Sequence, residues 1–537
     1  ARASARAGSE TMGATEGDVI ARGFGHLLFS QVSSRLVTFL LNVLVVRRLP
    51  PDVYGVAVIQ YHLITTTILT FAREGVRRAC LRGVQLGGKR GPDLKSIVPL
   101  SWLCVPQGLA WSLIVCSTVL AFSGDGVGVR DGSYRVGVLL HGAAAVIETL
   151  SEPAYITSTC LLVFKLQLTV ETVASLARCF ATLIFLRPSL GVPPLVAFGL
   201  SAVVYSTTTT LGYWAYFVSR GEAKGMARWE HVTLRSAKRA DPELASAYRS
   251  FSLQAIEKHV LGEGEKFAMA AFRPTYDQGV YGLVNNLGSV VVRTCLQPFE
   301  QAIFTAFSMS SAARRGSGRQ VQADLLATVL RLAVLFALIA LAFGPSHSFA
   351  VLWASYGSGW AQTEAPRILS VYCAYIGSMA LNGVAEAFMH ATADAGALRG
   401  INYSLVAFSA LHSVTSVILV RSSGTSGLVA AGCVSMLLRV GYCTWYARGY
   451  FREASFPLSS VLPTPVGLAS LAACAALSRA SERYQLPDPG AAALRDVVGH
   501  LGLGCLVGMG LLGVLYKTER KLVSSLADLR RTAKKAD

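Results

Sequence analysis

Long apolar runs separated by short polar breaks follow one another along nearly the whole chain. Most of them approach or exceed the roughly 20 residues that an α-helix needs to cross a bilayer. The runs lie at 24–46, 53–72, 97–122, 134–158, 167–186, 193–218, 250–271, 280–304, 324–345, 367–389, 400–420, 426–447, 457–478 and 495–516. They lack the period-two alternation of membrane β-barrel strands, and a helix satisfies its own backbone hydrogen bonds in lipid. The pattern predicts an all-α polytopic membrane protein with about fourteen transmembrane helices.

Composition agrees with this prediction. Hydrophobic residues make up 52% of the chain, charged residues only 15%, and the mean hydropathy is +0.47, which is too apolar for a soluble protein. Residues 1–20 are polar and small, so we expect a disordered cytosolic N-terminus and not a cleaved signal peptide. The eleven cysteines lie in or beside apolar runs without CxxC spacing, which indicates core residues and not metal ligands.

The net charge of +18 is distributed unevenly between the loops. Basic residues concentrate after the second run, after the sixth run and in the tail at 517–537. Because cytosolic loops of membrane proteins are enriched in Lys and Arg, both termini are predicted to be cytosolic. A simpler interpretation is that most of these charges only orient the helices and contact anionic lipid.

A short motif occurs twice, as "PDVYGVAV" and as "YDQGVYGLVNN", with Tyr54 and Tyr281 227 residues apart. This spacing favours a duplicated half over a solenoid repeat. We therefore predict two pseudo-symmetric six-helix lobes related by an axis along the membrane normal. The predicted division is an N-lobe at 21–218, a cytosolic linker at 219–249, a C-lobe at 250–448, two further helices at 449–516 and the basic cytosolic tail at 517–537.

Charged residues inside apolar runs are candidates for function, since a charge at mid-bilayer costs roughly 2.5–3.5 kcal/mol. Arg35 lies midway along the first run, and the repeat spacing places its counterpart next to Glu263. We expect a basic centre in one lobe to face an acidic one in the other. The alternative is a salt bridge that only holds the lobes in register.

The segment "FAREGVRRAC" places Arg73 and Arg77 on one helical face at i, i+4 spacing. Guanidinium groups bind phosphate oxygens bidentately, so this pair is a candidate site for an anionic head group. Two alternatives stay open. The arginines form structural ion pairs with Glu74 and Glu152, or they serve topology alone.

The eighth run carries a polar stripe at spacings of 7, 4 and 3 residues, formed by Asn286, Arg293, Gln297 and Glu300. Further charged or polar positions rank below these, because each is also compatible with a satisfied contact between helices. These secondary candidates are Arg47, Glu74, Lys165, Arg178, Asn382 and Glu386.

Motifs of enzymes and cofactor-binding proteins are missing from the sequence. It has no GxxxxGK[ST] segment for a nucleotide, no HExxH and no Cys/His cluster for a metal. Paired-carboxylate catalysis also lacks an evident location. We expect no cofactor, no metal and no nucleic-acid partner, and we favour a transporter over an enzyme.

Four segments, "FAREGVRRAC", "EGEKFAM", "YDQGVYGLVNNLGSVVVRTCLQPFEQ" and "LNGVAEAF", make the chain similar to the eukaryotic RFT family over roughly residues 20–520. The resemblance implies a two-lobed, fourteen-helix fold of the exporter superfamily that includes lipid II flippases and multidrug extruders. It also implies a membrane protein of the endoplasmic reticulum that moves Man(5)GlcNAc(2)-PP-dolichol from the cytosolic to the lumenal leaflet for protein N-glycosylation. The C-terminal "KKAD" fits a dilysine retrieval signal.

Under this hypothesis Arg35, Arg73 and Arg293 hold the diphosphate in a basic cavity that opens alternately to the two sides of the membrane. The runner-up is a factor that binds or delivers the lipid-linked oligosaccharide without flipping it. Its partners would be lipids of the endoplasmic reticulum and other proteins of the N-glycosylation pathway. A cation-coupled drug extruder is disfavoured, because it needs a net-acidic cavity.

Overall fold

The computed structural model describes residues 37–86, 94–122, 132–221, 242–313, 319–452, 456, 460–487, 490 and 492–520. Within these ranges all long regular elements are helices, which we number α1 to α14. The first seven are α1 (Val37–Val46), α2 (51–86), α3 (94–121), α4 (133–160), α5 (Phe164–Phe185), α6 (Pro194–Ser219) and α7 (242–272). The others are α8 (275–313), α9 (Arg319–Tyr356), α10 (Ala365–Thr392), α11 (395–423), α12 (425–450), α13 (Pro465–Gln485) and α14 (Leu494–Thr518).

The described part of each predicted apolar run is largely helical, so the predicted all-α fold is confirmed. The thirteenth run differs most, because α13 begins only at Pro465 and not at residue 457. A proline in the first turn lacks the N–H that a helix start leaves unpaired, which explains this boundary. Among the described helices, eight spans are long and apolar enough to cross a membrane.

Helices α11 and α12 form one continuous helical stretch that bends at Gly424. This residue has φ +64° and ψ −147°, a conformation that side-chain-bearing residues rarely adopt. The Arg273 guanidinium packs where a Cβ of Gly424 would point. The sequence pattern predicts two runs here, and the glycine joins them through a kink without a loop.

Helices α2 and α8 contain π-helical turns. In α2 these lie at Val56–Gln60 and Thr70–Glu74, and in α8 at Val292–Leu296. A π-turn inserts a residue into the helical repeat and is frequent at functional sites. Arg73 and Arg293, both predicted from sequence to contact the ligand, lie on such turns.

Contacts between residues divide the described chain into two compact units. The first contains residues 38–282 and 416–425, and the second contains 283–415 and 426–520. The contacts thus place α7 in the first unit, whereas the repeat in the sequence predicts it as the first helix of the C-lobe. The lobe boundaries drawn from the repeat stay a prediction.

The core of the first unit lies between α2, α4 and α6. Tyr61, fully buried, stacks on His141 with ring centroids 4.3 Å apart and donates its hydroxyl to the Tyr134 carbonyl at 3.3 Å. The aliphatic residues around it include Ile64, Ile68, Val138 and Leu195. This cluster packs α2 against its neighbours from Val56 to Leu69.

The second unit has its main core between α8, α9 and α10, where Phe307 and Phe388 meet edge to face at 5.0 Å. A separate cluster packs α13 and α14 against α9. Its buried members are Leu335, Ala342, Leu471, Cys474, Leu511 and Leu515. The last two helices are therefore attached to the second unit through α9.

A buried carboxylate completes this attachment. Glu519, which is 3% exposed, accepts hydrogen bonds from the Thr464 N–H at 2.9 Å and the Thr464 hydroxyl at 3.0 Å, and it forms an ion pair with Arg331 of α9. One side chain thus joins the start of α13 and the end of α14 to α9.

We expect Glu519→Ala to lower the thermal unfolding midpoint of the detergent-purified protein strongly, because breaking a buried ion pair costs roughly 3–5 kcal/mol. The control is Asp496→Ala at the other end of α14, where a half-buried carboxylate accepts a hydrogen bond from the Ala493 N–H and forms no ion pair with the described residues. An equal decrease in both variants would contradict the structural role of Glu519.

Candidate functional site

Two arginines of α2 and two glutamates of α4 form a charged network inside the first unit. Arg73 donates from Nη1 to Glu148 Oε1 at 2.6 Å and to Glu152 Oε1 at 3.2 Å. Arg77 donates from Nε to Glu152 Oε2 and from Nη2 to Glu152 Oε1, both at 2.7 Å. The predicted ion pair with Glu152 is therefore present, and Glu148 extends it to two positive and two negative charges.

Burial makes this network important for the fold. The Glu152 side chain is 0% exposed and the Glu148 side chain 9%, while each arginine side chain is 20% exposed. Tyr155 adds a ring face 3.9 Å from the Arg77 guanidinium carbon, a cation–π contact. A carboxylate buried to this extent requires charged hydrogen-bond donors, which α2 supplies.

The two arginines differ in what remains available for a ligand. Arg77 uses Nε and Nη2, the edge of the guanidinium that fits a carboxylate or phosphate, to hold Glu152. Arg73 uses Nη1 alone, and its Nε and Nη2 make no hydrogen bond to the described residues. Arg73 is consequently held in place by carboxylates while keeping a free bidentate edge.

Glu263 has partners within the first unit. It interrupts α7, accepts from Lys266 Nζ at 2.7 Å and lies 3.8 Å from His62 Nε2 of α2. Arg35, its predicted counterpart, lies outside the described residues. The structure thus gives Glu263 a local basic environment.

In the second unit, the predicted stripe of α8 is mostly open to the surroundings. Arg293 and Gln297 are exposed, Asn286 is half-buried, and Arg293 forms no ion pair with the described residues. Glu300 packs directly on α10, where a Cβ at Gly383 would overlap with its carboxylate. Of these four residues, Glu300 is the one that a glycine of the neighbouring helix α10 accommodates.

Of the two secondary candidates on α10, Asn382 and Glu386, the glutamate meets a residue of α12. Glu386 Oε1 lies 3.5 Å from Arg439 Nη1, and Arg439 Nη2 is 3.4 Å from the Ser409 hydroxyl of α11. Asn382 is 5% exposed, and its Oδ1 has no hydrogen-bond partner among the described residues. The cluster around Arg439 therefore combines one arginine with a carboxylate and a hydroxyl.

The other secondary candidates lie at the surface of the protein. Glu74 pairs with Arg78 at 2.8 Å, with both side chains about one-third exposed. Arg47, Lys165 and Arg178 are exposed and form no ion pair in the described part of the chain. They are not gathered into either charged cluster by an ion pair.

Sequence reasoning missed Glu148 and Arg439, which complete the two clusters. Glu148 had a visible signal, because it precedes Glu152 by four residues in "IETLSEPAY". Arg439 interrupts the apolar segment "SMLLRVGY" in the same manner as Arg35 interrupts the first run. Both are intramembrane charges of the kind that normally marks a protein interior.

The helical architecture matches solved transporters. One is the lipid II flippase MurJ in an inward closed conformation, with a TM-score of 0.64 and 11% identity, covering 91% of this chain and 99% of that one. Another is a multidrug resistance MATE family transporter of the MOP superfamily in an inward-facing conformation, with a TM-score of 0.52 and 11% identity, covering 78% of this chain and 96% of that one. The chain shares the fold of these two transporters, as the resemblance to the RFT family implies.

Comparison of sequences defines the family. The family model described as "Rft protein" matches residues 20–529, and the chain belongs to this family. A relative from Xenopus tropicalis is 30% identical over 516 residues, covering 92% of this chain and 93% of the relative. A relative from Mus musculus is 29% identical over 525 residues, covering 93% and 94%. Both relatives are named Man(5)GlcNAc(2)-PP-dolichol translocation protein.

A double-mutant cycle tests the α2–α4 network. We expect Arg77→Gln and Glu152→Gln each to lower the thermal unfolding midpoint strongly, since each leaves a buried charge without its partner. The unfolding midpoint of the double variant is expected to fall by less than the sum of the two single decreases.

The matched control is the cycle of Arg78→Gln and Glu74→Gln on the same helix. This pair is partly exposed, so its coupling is expected to stay at roughly 0.3–0.5 kcal/mol. Additive effects of Arg77→Gln and Glu152→Gln would contradict a coupled ion pair.

Proposed function

We propose that the protein translocates Man(5)GlcNAc(2)-PP-dolichol from the cytosolic to the lumenal leaflet of the endoplasmic reticulum membrane by alternating access. The observation that carries this proposal is the similarity to proteins named for this translocation, which extends over nine-tenths of both chains. The exporter fold is consistent with it. The substrate would serve protein N-glycosylation on the lumenal side.

The chemical problem in this translocation is the diphosphate of the substrate. An unpaired anion in hydrocarbon is strongly unfavourable, so a translocator must replace the water around the phosphates with fixed positive groups. We assign this role first to Arg73. Its Nη1 is held by Glu148 and Glu152, and its remaining guanidinium edge suits a phosphate oxygen pair.

Arg293 and Arg35 complete the proposed set of cationic groups. Arg293 is exposed on a π-turn of α8 and has no ion pair among the described residues, so its guanidinium is available to an anion. Arg35 is proposed on its position within the first apolar run. Arg77 is assigned a positioning role, because its bidentate edge holds Glu152.

Glu263, Asn286, Gln297 and Glu300 are proposed as hydrogen-bonding groups for the glycan. Orientation also belongs to this proposal. The excess of basic residues in the tail at 517–537 supports cytosolic termini, and "KKAD" supports residence in the endoplasmic reticulum.

The first experiment measures leaflet exchange of labelled Man(5)GlcNAc(2)-PP-dolichol in liposomes that contain the purified full-length protein, with empty liposomes alongside. Exchange only in the presence of protein would support the proposal. Binding of the lipid without exchange would contradict it and favour the delivery factor.

The matched variants Arg73→Lys and Arg77→Lys test the assigned residue. Lysine keeps the charge but not the planar fork, so Arg73→Lys is expected to reduce exchange at least about tenfold, the effect of one lost charge-assisted contact. Arg77→Lys should mainly lower the unfolding midpoint and leave exchange per folded molecule closer to wild type. Wild-type exchange by Arg73→Lys would exclude Arg73 as the phosphate ligand.

A further inference from the structure

A small groove on α13 combines two arginines with an alanine floor. It has a volume of about 370 Å³ and is lined by Ala475, Ala476, Arg479, Ala480 and Arg483. Because alanine side chains end at Cβ, they leave a depression that the two long arginine side chains flank. Arg479 and Arg483 are one helical turn apart and share a face.

This face points away from the core of the second unit. The opposite side of α13 packs on α9 and α14 through Leu471 and Cys474, and Ser481 bonds to Nδ1 of the buried His500 at 2.8 Å. Arg479 and Arg483 are exposed and form no ion pair with the described residues. The groove therefore presents two guanidinium groups to the surroundings of the helix.

One acidic side chain lies nearby. Glu482 is half-buried and interacts electrostatically with Arg479, Arg483 and His347 of α9, but it makes no ion pair with either arginine. It leaves the hydrogen-bonding edges of both arginines free for an anion.

The depth of the groove indicates which anion fits. At about 1.5 Å per residue, the 21 residues of α13 span roughly the hydrocarbon thickness of a bilayer, and Arg479 lies about 9 Å from the Gln485 end. Long arginine side chains extend from such a depth to the level of the lipid phosphates. Tyr484, 86% exposed beside them, is the residue type that marks this interface.

The orientation of the protein in the membrane does not by itself explain the arginines at this end of α13. The other end carries Thr464, which is bonded to Glu519 next to the basic tail, so under the proposed orientation Arg479 and Arg483 are lumenal. The positive-inside rule accounts for basic residues on the cytosolic side only. A local anionic ligand accounts for them where orientation does not.

We propose that this groove binds the head-group phosphate of an anionic phospholipid of the bilayer, with Arg479 and Arg483 as its ligands. Each guanidinium donates to phosphate oxygens, and the alanine floor admits the head group against the helix. The glycan of the proposed substrate is not required, because the groove is small and lies on the outer face of α13. Only the assignment to the lumenal leaflet rests on the proposed function.

The test is lipid retention by the full-length protein, purified in detergent with equal amounts of phosphatidylinositol and phosphatidylcholine and examined by native mass spectrometry. We expect wild type to retain phosphatidylinositol preferentially. The Arg479→Gln/Arg483→Gln variant should weaken this retention about 30-fold, given the typical effect of two basic residues at a membrane surface.

The matched control is Arg187→Gln/Arg367→Gln, which removes two exposed arginines without ion pairs in the described chain. It should retain phosphatidylinositol as wild type does. Thermal unfolding midpoints of both double variants establish that each is folded.

Several results would overturn the proposal. Equal retention by wild type and Arg479→Gln/Arg483→Gln would exclude the site, and so would equal losses in both double variants. Displacement by inorganic phosphate alone would indicate a free-phosphate site. Retention of dolichyl diphosphate in preference to phosphatidylinositol would show that the occupant of the groove is not a phospholipid. Because retention requires no translocation, this test is independent of the exchange assay.

Discussion

The need to neutralise buried charge in a chain surrounded by lipid is the constraint on which the first unit depends. Glu148 and Glu152 lie on α4 one turn apart, where an isolated carboxylate would be strongly disfavoured. Arg73 and Arg77, also one turn apart on α2, make four nitrogen–oxygen hydrogen bonds to these carboxylates. These bonds form only if both helices keep their depth and rotation. The ion pairs therefore fix the register of α2 against α4, while the aromatic and aliphatic core around Tyr61 supplies packing.

The repeat predicted from the sequence pairs polar positions that carry different charges. Arg73 and Glu300 are separated by 227 residues, the same separation as Tyr54 and Tyr281, so the predicted repeat assigns them to corresponding positions of α2 and α8. Glu148 and Glu152 on α4 resemble Asn382 and Glu386 on α10 in spacing. In the second unit the charge that compensates Glu386 comes from Arg439 of α12. The source of the compensating charge therefore differs: α2 neutralises Glu148 and Glu152, whereas α12 neutralises Glu386.

The last two helices, α13 and α14, carry charges of two kinds, one in the interior and one on the surface. Their inner faces are joined to α9 by apolar packing and by the buried Glu519 with Arg331 and Thr464. The outer face of α13 keeps two arginines without such partners. A charge that holds helices together and a charge available to lipid are therefore distinguished by the neighbours that packing provides, and not by residue type.

The sequence by itself determined the all-α membrane fold, the approximate helices and the family, because apolar runs of bilayer length and specific local motifs are properties of contiguous residues. It also gave an ion pair of Arg73 and Arg77 with Glu152 as one of three alternatives for this segment. Only the tertiary structure decided that Glu148 joins them, that Arg73 keeps a free edge whereas Arg77 does not, and that Glu386 meets Arg439. It also revealed the π-turns under Arg73 and Arg293. The physical reason is that helix rotation and pairing depend on packing between distant segments, and apolar faces on all sides of a membrane helix leave its rotation unspecified.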